Sequence, residues 1–306
     1  MNRRFIPAIL GLVVLLCIQA HNAEIGQSDF PVLKRPQLGP EPPGASRLSG
    51  QAAAREPLVL TYVANMGVLV SSGDTKVLID GLFDAANSHT RVPAPETFES
   101  IMRGEPPFDG VDLVLVTHKD RDHFSAALAV RYLETRPEPI LVAPSDAVEA
   151  IRKIASNWPR IASRIIPIDL EVRESAKKEV AHIPLTIIRT THGTTPWPMN
   201  HMYLIDFNGW RIFHEGDASG RPDDYRGLGL ESAPVDLAVV QYYWPIHPHP
   251  PYRGFLLKLL KPDHIALGHL NIREESVAEG KVDEIRRNYK DIFVLLPGMP
   301  ARVFRK

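Results

Sequence analysis

From Val111 to Thr117 the chain is an almost unbroken apolar run, and it stops at His118-Lys119-Asp120-Arg121-Asp122-His123. Four groups able to bind a cation crowd into those six positions, at the exit of what the apolar pattern marks as a buried strand. Desolvating so many imidazoles and carboxylates for packing alone is costly, so the chain needs a fold that gathers strand ends around a polar centre. Three later runs end the same way: Leu185 to Thr191 at His192-Gly193, a hairpin strand at Gly216-Asp217, and Ile265 to Leu267 at Gly268-His269. The neighbouring glycines let backbone and side chain approach a common centre.

The pattern around these stops predicts a sheet-containing core flanked by helices, in the α/β or α+β class. Leu58 to Val63 and Val68 to Val70 are expected strands, followed by a Ser72-Gly73-Asp74 turn and a return strand Lys76 to Asp80. Ile140 to Val142, Val235 to Val240 and Ile292 to Leu296 read as further short buried strands. Met202 to Ile205 is expected to pair with Trp210 to Phe213 across Asn208-Gly209, a strong hairpin signal. Helices are predicted over Ser125 to Glu134, over Ser145 to Ser156 with Ser145 as N-cap, over Tyr252 to Leu260 and over Arg273 to Tyr289.

Composition narrows the chemistry. Lys and Arg total 35 against 36 Asp and Glu, a formal charge of −1, so no global field recruits a polyanion and nucleic acid is not an expected partner. The single cysteine, Cys17, excludes an intrachain disulfide and a cysteine-cluster metal site. Any metal chemistry must use histidines and carboxylates. His182, His214 and His264 lie in or beside strand patterns and read as ordinary core or surface histidines.

Arg3 and Arg4, the apolar run Phe5 to Ile18 and the small residues after it make residues 1–23 an expected signal peptide or N-terminal anchor. Leu16 stands where a lipoprotein signal wants a small residue before Cys17. Residues 24–56, broken by prolines and glycines, read as a linker, and 57–306 as the folded unit. The expectation is an exported chain, periplasmic or secreted, touching a membrane only through its N-terminal segment.

The ordered set of His118-Lys119-Asp120-Arg121-Asp122-His123, His192, Gly216-Asp217 and Gly268-His269, with Asp80 after Val77-Leu78-Ile79, resembles the metallo-β-lactamase superfamily over 57–306. The resemblance implies a four-layer αβ/βα sandwich and two divalent ions. It assigns His118, Asp120 and His192 to one ion, Asp122, His123 and His269 to the other, and Asp217 to a bridge between them. It implies a hydrolase in which a metal-bridging hydroxide attacks the substrate, with Asp122 also acting catalytically on that nucleophile.

Asp120 stands where the family motif has a second histidine. A carboxylate is harder than imidazole, which moves the expected metal from Zn alone toward Fe or Mn as well. Trp197, Tyr243, Trp244 and His247 are candidate substrate contacts, and His247 and His249 are candidate donors to a phosphate or carboxylate. An aromatic, proline-stiffened rim favours a small ester, lactone or amide as substrate. The alternatives are a phosphodiesterase or nuclease, or a catalytically silent, metal-stabilised binding protein.

Overall fold

The computed structural model describes residues 55–306 except 86, 88, 194 and 233; the expected leader and all but the last two residues of the expected linker lie outside the described residues. Strands run in chain order as β1 (Leu58–Ala64), β2 (Gly67–Ser72), β3 (Thr75–Ile79), β4 (Leu113–Leu115), β5 (Ile140–Pro144), β6 (Ile165–Ile168), β7 (Ser175–Val180), β8 (Ile183–His192), β9 (Thr195–Phe207), β10 (Trp210–His214), β11 (Leu237–Gln241), β12 (His264–Gly268), β13 (Ile292–Val294) and β14 (Arg302–Phe304). They form two seven-stranded sheets, ordered β14-β1-β2-β3-β4-β5-β6 and β13-β12-β11-β10-β9-β8-β7.

Each sheet is antiparallel in one half and parallel in the other. β1, β2 and β3 pair antiparallel and β3 to β6 parallel; β7 to β10 pair antiparallel and β10 to β13 parallel. The sheets face one another across a core that includes Leu60, Val68, Leu113, Tyr203, Trp210 and Phe293. Burying such a side chain is worth roughly 1.5–3 kcal/mol. A second apolar cluster packs the helices Pro95–Arg103, Ala126–Thr135 and Ser145–Ile154 on the outside of the first sheet. A third packs Phe255–Leu260 and Glu275–Arg286 outside the second. This is the expected αβ/βα sandwich.

Local departures from the sequence reading have simple causes. Ser145 does not cap its helix: β5 runs through Pro144, which feeds directly into the first turn as N-cap, and Ser145 Oγ donates instead to Asp169 Oδ1 at 3.3 Å. Gly254, at φ 59°, delays the helix expected from Tyr252 to Phe255. The polar β7 carries Lys177, Lys178 and Glu179 exposed at a sheet edge, where charge blocks further pairing.

Candidate metal centre

The centre forms where carboxyl ends of strands from both sheets meet. Asp80 follows β3, and its buried carboxylate accepts Thr117 N–H at 2.8 Å and Thr117 Oγ1–H at 2.6 Å. The Thr117 hydroxyl has one proton and spends it on Asp80. It therefore accepts from His118 Nδ1, 2.9 Å away, which fixes His118 with its proton on Nδ1. His118 Nε2 is left buried without a hydrogen-bond partner among the described residues. Asp80 Oδ2 also lies 2.9 Å from His123 Nδ1, while Asn65 Nδ2 donates to His123 Nε2 at 3.1 Å. One carboxylate and one hydroxyl thus turn the acceptor nitrogens of both histidines toward the same space.

Asp122 is held from outside the motif. Its Oδ2 accepts Asn87 Nδ2 at 2.8 Å, Thr90 Oγ1 at 3.2 Å and Asn65 Nδ2 at 3.4 Å. Three donors on one oxygen fix the carboxylate in place.

The second sheet supplies the facing groups. His192 ends β8, and its Nε2 lies 2.8 Å from Asp217 Oδ2. Asp217 is positioned through its backbone N–H, donated to Asn200 Oδ1 at 2.9 Å. Gly216 makes this approach possible, because at its φ of +65° a Cβ would fall 2.5 Å from Asn200 Oδ1 and 2.8 Å from Thr117 Cβ. His269 follows β12 in a left-handed conformation at φ 54°. Its Nε2 lies 3.4 Å from Asp217 Oδ2 and 3.9 Å from Asp122 Oδ2, at ion-pair distances without hydrogen-bond geometry.

Two donor triads result, His118 with His192 and Asp217, and Asp122 with His123 and His269; within each, one ligand atom per residue lies within 4.8 Å of the others. Asp217 Oδ2 faces both, through His192 and His269. The histidine rings line up between them, with centroids 4.0 Å apart for His118 and His123, 4.9 Å for His118 and His192, and 5.3 Å for His123 and His269.

Burial opposes ionisation of Asp217, yet the charge of His269 and the hydrogen bond from His192 hold its carboxyl well below the usual range. Burial opposes charge on His269 as well, but Asp217 and Asp122 push its imidazole up to about 9. His192 is raised against burial by Asp217 and Asp120. His118 is driven well below the ordinary histidine value by burial and by His123, so it presents a neutral nitrogen. Two nitrogens and a carboxylate in each triad suit Zn²⁺, Fe or Mn, and the orphaned Nε2 of His118 is the kind of buried atom that such an ion would satisfy.

The structure therefore brings together His118, Asp122, His123, His192, Asp217 and His269. Asp120 stands beside them, outside both triads, with Oδ2 3.6 Å from His192 Nε2 and its carboxyl raised by burial and by Asp122 against the pull of His192. Trp244 and His247 line the cavity that opens on His192 and Asp217. Trp197 and Tyr243 do not: Trp197 is exposed under the Arg189 guanidinium, 5.1 Å from the ring centroid, and Tyr243 points outward beside His247. His214 is a core histidine with both nitrogens used, Nε2 toward Met66 O and Nδ1 accepting Gly216 N–H. The sequence reading did not single out Thr117, Asn65, Asn87, Thr90 or Asn200. Their only signal was nearness in sequence to a strand end or turn.

The family model described as beta-lactamase superfamily domain matches residues 75–281. No curated protein matches the sequence. Among solved structures, Igni18, a metallo hydrolase from the archaeon Ignicoccus hospitalis, is 16% identical with a TM-score of 0.55, over 82% of this chain and 99% of that one. The metallo-beta-lactamase fold protein YhfI from Bacillus subtilis is 14% identical with a TM-score of 0.54, over 81% and 100%. CmlA, a diiron beta-hydroxylase from Streptomyces venezuelae, is 13% identical with a TM-score of 0.53, over 82% of this chain and 54% of its own. The chain thus spans about half the length of the hydroxylase, and at these identities the likeness is one of fold.

Proposed function

This chain belongs to the beta-lactamase superfamily, and on that premise we propose that it is a metal-dependent hydrolase whose two donor triads hold a pair of divalent cations, Zn²⁺ foremost. The observation that carries the reading is the carboxylate of Asp217 set between His192 and His269, at 2.8 and 3.4 Å, where one side chain serves both triads. Cations bound there supply water with a pKa lowered toward roughly 7 and a Lewis acid for a carbonyl or phosphoryl oxygen.

The chain's own residues supply the rest. Asp80 and Thr117 keep the Nδ1 protons of His118 and His123 pointing away from the centre, so both Nε2 atoms are acceptors, that of His118 without a partner among the described residues and that of His123 met by Asn65 Nδ2. Asp122, held by Asn65, Asn87 and Thr90, is an acceptor that orients the attacking water and takes up its proton. Asp120, beside His192, is a further carboxylate within reach of the same triad and leaves room for Fe or Mn. Trp244 and Tyr252 at the mouth favour a small substrate with an ester, lactone or amide bond over a polymer.

The test is a hydrolysis panel of p-nitrophenyl esters, lactones and phosphodiesters with metal-replete protein. Turnover of an ester or lactone, abolished by a chelator and restored by added Zn²⁺, is the expected result. Turnover of phosphodiesters alone would move the substrate class, and no turnover of any of them in protein holding two ions per chain would end the hydrolase reading.

A further inference from the structure

The cavity beside the centre has a volume of about 350 Å³, and its lining joins His192 and Asp217 to Arg221, Trp244, His247 and Tyr252. Its lining includes donors that no described residue uses.

Arg221 is exposed, and among the described residues its guanidinium meets no carboxylate and no hydrogen-bond acceptor. The carboxylates nearest in sequence are already engaged. Asp223 pairs with Arg226 at 2.6 Å, and Asp224 takes the hydroxyls of Thr191 and Ser219. Asp217 faces the histidines. An unpaired surface arginine is ordinary on a convex face; this one borders a concavity shared with the metal centre.

His247 is 8% exposed, and its tautomer follows from its neighbours. Nδ1 accepts the backbone N–H of His249 at 3.0 Å, so the neutral ring carries its proton on Nε2. Arg253 holds the same loop by donating Nε–H to His247 O at 2.6 Å. Trp244 stacks on His247 with centroids 5.5 Å apart at 26°, and more loosely on Tyr252 at 6.4 Å. Its indole lies against Gly220, where any Cβ would sit 2.1 Å from Trp244 Cε2. The residue that must be glycine for this packing directly precedes Arg221, and Trp244 and Arg221 both line the cavity. Trp244 Nε1–H is also buried without an acceptor among the described residues.

A charged guanidinium and an imidazole N–H, backed by an aromatic stack that excludes water, are complementary to an oxyanion. With two divalent cations bound, their charge outweighs Asp120, Asp122 and Asp217, and the mouth attracts anions.

We propose that Arg221 and His247 form an oxyanion subsite beside the metal centre, so that the molecule hydrolysed there carries a carboxylate or a phosphoryl group next to its scissile bond. The placing of the scissile bond rests on the hydrolase reading; the binding of the anion does not.

The test is calorimetric titration of the metal-replete protein with benzoate, phenylphosphonate and neutral benzyl alcohol, in wild type, Arg221→Ala and Arg226→Ala. The wild type is expected to bind at least one anion about 10-fold more tightly than the alcohol. Arg221→Ala should lose about 10-fold on that anion and Arg226→Ala nothing, as expected for one charge-assisted contact. Whichever anion binds more tightly identifies the carboxylate or the phosphoryl source. Anion affinities within twofold of wild type in Arg221→Ala, or no preference for anions in the wild type, would overturn the subsite. Rates on p-nitrophenyl acetate and p-nitrophenyl hemisuccinate separate the two readings. Arg221-dependent binding without turnover of either ester upholds the subsite and defeats the hydrolase. Turnover of both esters at rates that Arg221→Ala leaves alike upholds the hydrolase and defeats the subsite.

Discussion

Asp80 Oδ2 lies 2.9 Å from Nδ1 of His123, and both side chains are buried. The relationship makes an aspartate with no place in either donor triad the group that orients one of them. Burial would raise its carboxyl, but His123 and Thr117 hold it below the usual range, so it stays a charged acceptor. Asp80→Asn keeps the shape and tolerates the left-handed backbone at φ 46°, yet weakens the acceptor for His123 and Thr117. Metal affinity measured by chelator competition should fall about 10- to 100-fold. An unchanged affinity would remove Asp80 from the account.

Asp122→Ala and His118→Ala should each lower turnover at least ~100-fold, a loss of ~3 kcal/mol in transition-state stabilisation. Circular dichroism should show the fold retained, since both side chains belong to the centre and not to the apolar clusters between and outside the sheets. Wild-type rates in either variant would contradict the roles given to them.

Gly216→Ala should damage the site without touching a donor. The new Cβ would meet Asn200 Oδ1 at 2.5 Å and Thr117 Cβ at 2.8 Å in a backbone conformation that disfavours side chains. A stability loss of about 1–3 kcal/mol in denaturant unfolding is expected, with weaker metal binding through the displaced Asp217. Wild-type stability and affinity would show that this approach is not as close as described.

His201 gives a pH dependence separate from the donors. It is fully buried on β9, neither ring nitrogen has a partner among the described residues, and burial with the nearby Arg189 charge pushes its imidazole down to about 3. The unfolded chain takes up a proton near pH 6.5 and the folded chain does not. The contribution of His201 is therefore fully present above pH 6.5 and is lost as pH falls from 6.5 toward 3, at up to about 1.4 kcal/mol per pH unit. In His201→Gln the acid limb of the stability curve should be shallower by about one proton over that window. An identical slope would show that His201 is already charged in the fold.

Much of this was legible in the chain because strand ends are conspicuous. An apolar run that stops at His118, His192 or His269 announces both an element and a polar destination, and the hairpin through Asn208-Gly209 fixes the approach to Asp217. Other parts were not legible, for physical reasons. Thr117 closes a strand like many threonines, and its use appears only when β3 and β4 set Asp80 beside it. Asn65 comes from one turn and Asn87 and Thr90 from another, and the two meet at Asp122 only in three dimensions. Trp197 and Trp244 are alike in sequence, and only the packing on Gly220 places one of them at the mouth. β14 is three residues long and exists because β1 offers it an edge.

The measurement that bears most directly on the account is elemental analysis of the wild type and of His118→Ala and His123→Ala, each purified without added metal. The expected result is about two divalent ions per chain in the wild type and a loss of about one in each variant, since the two histidines belong to different triads. A wild type with no bound metal, or variants that keep the full complement, would contradict it.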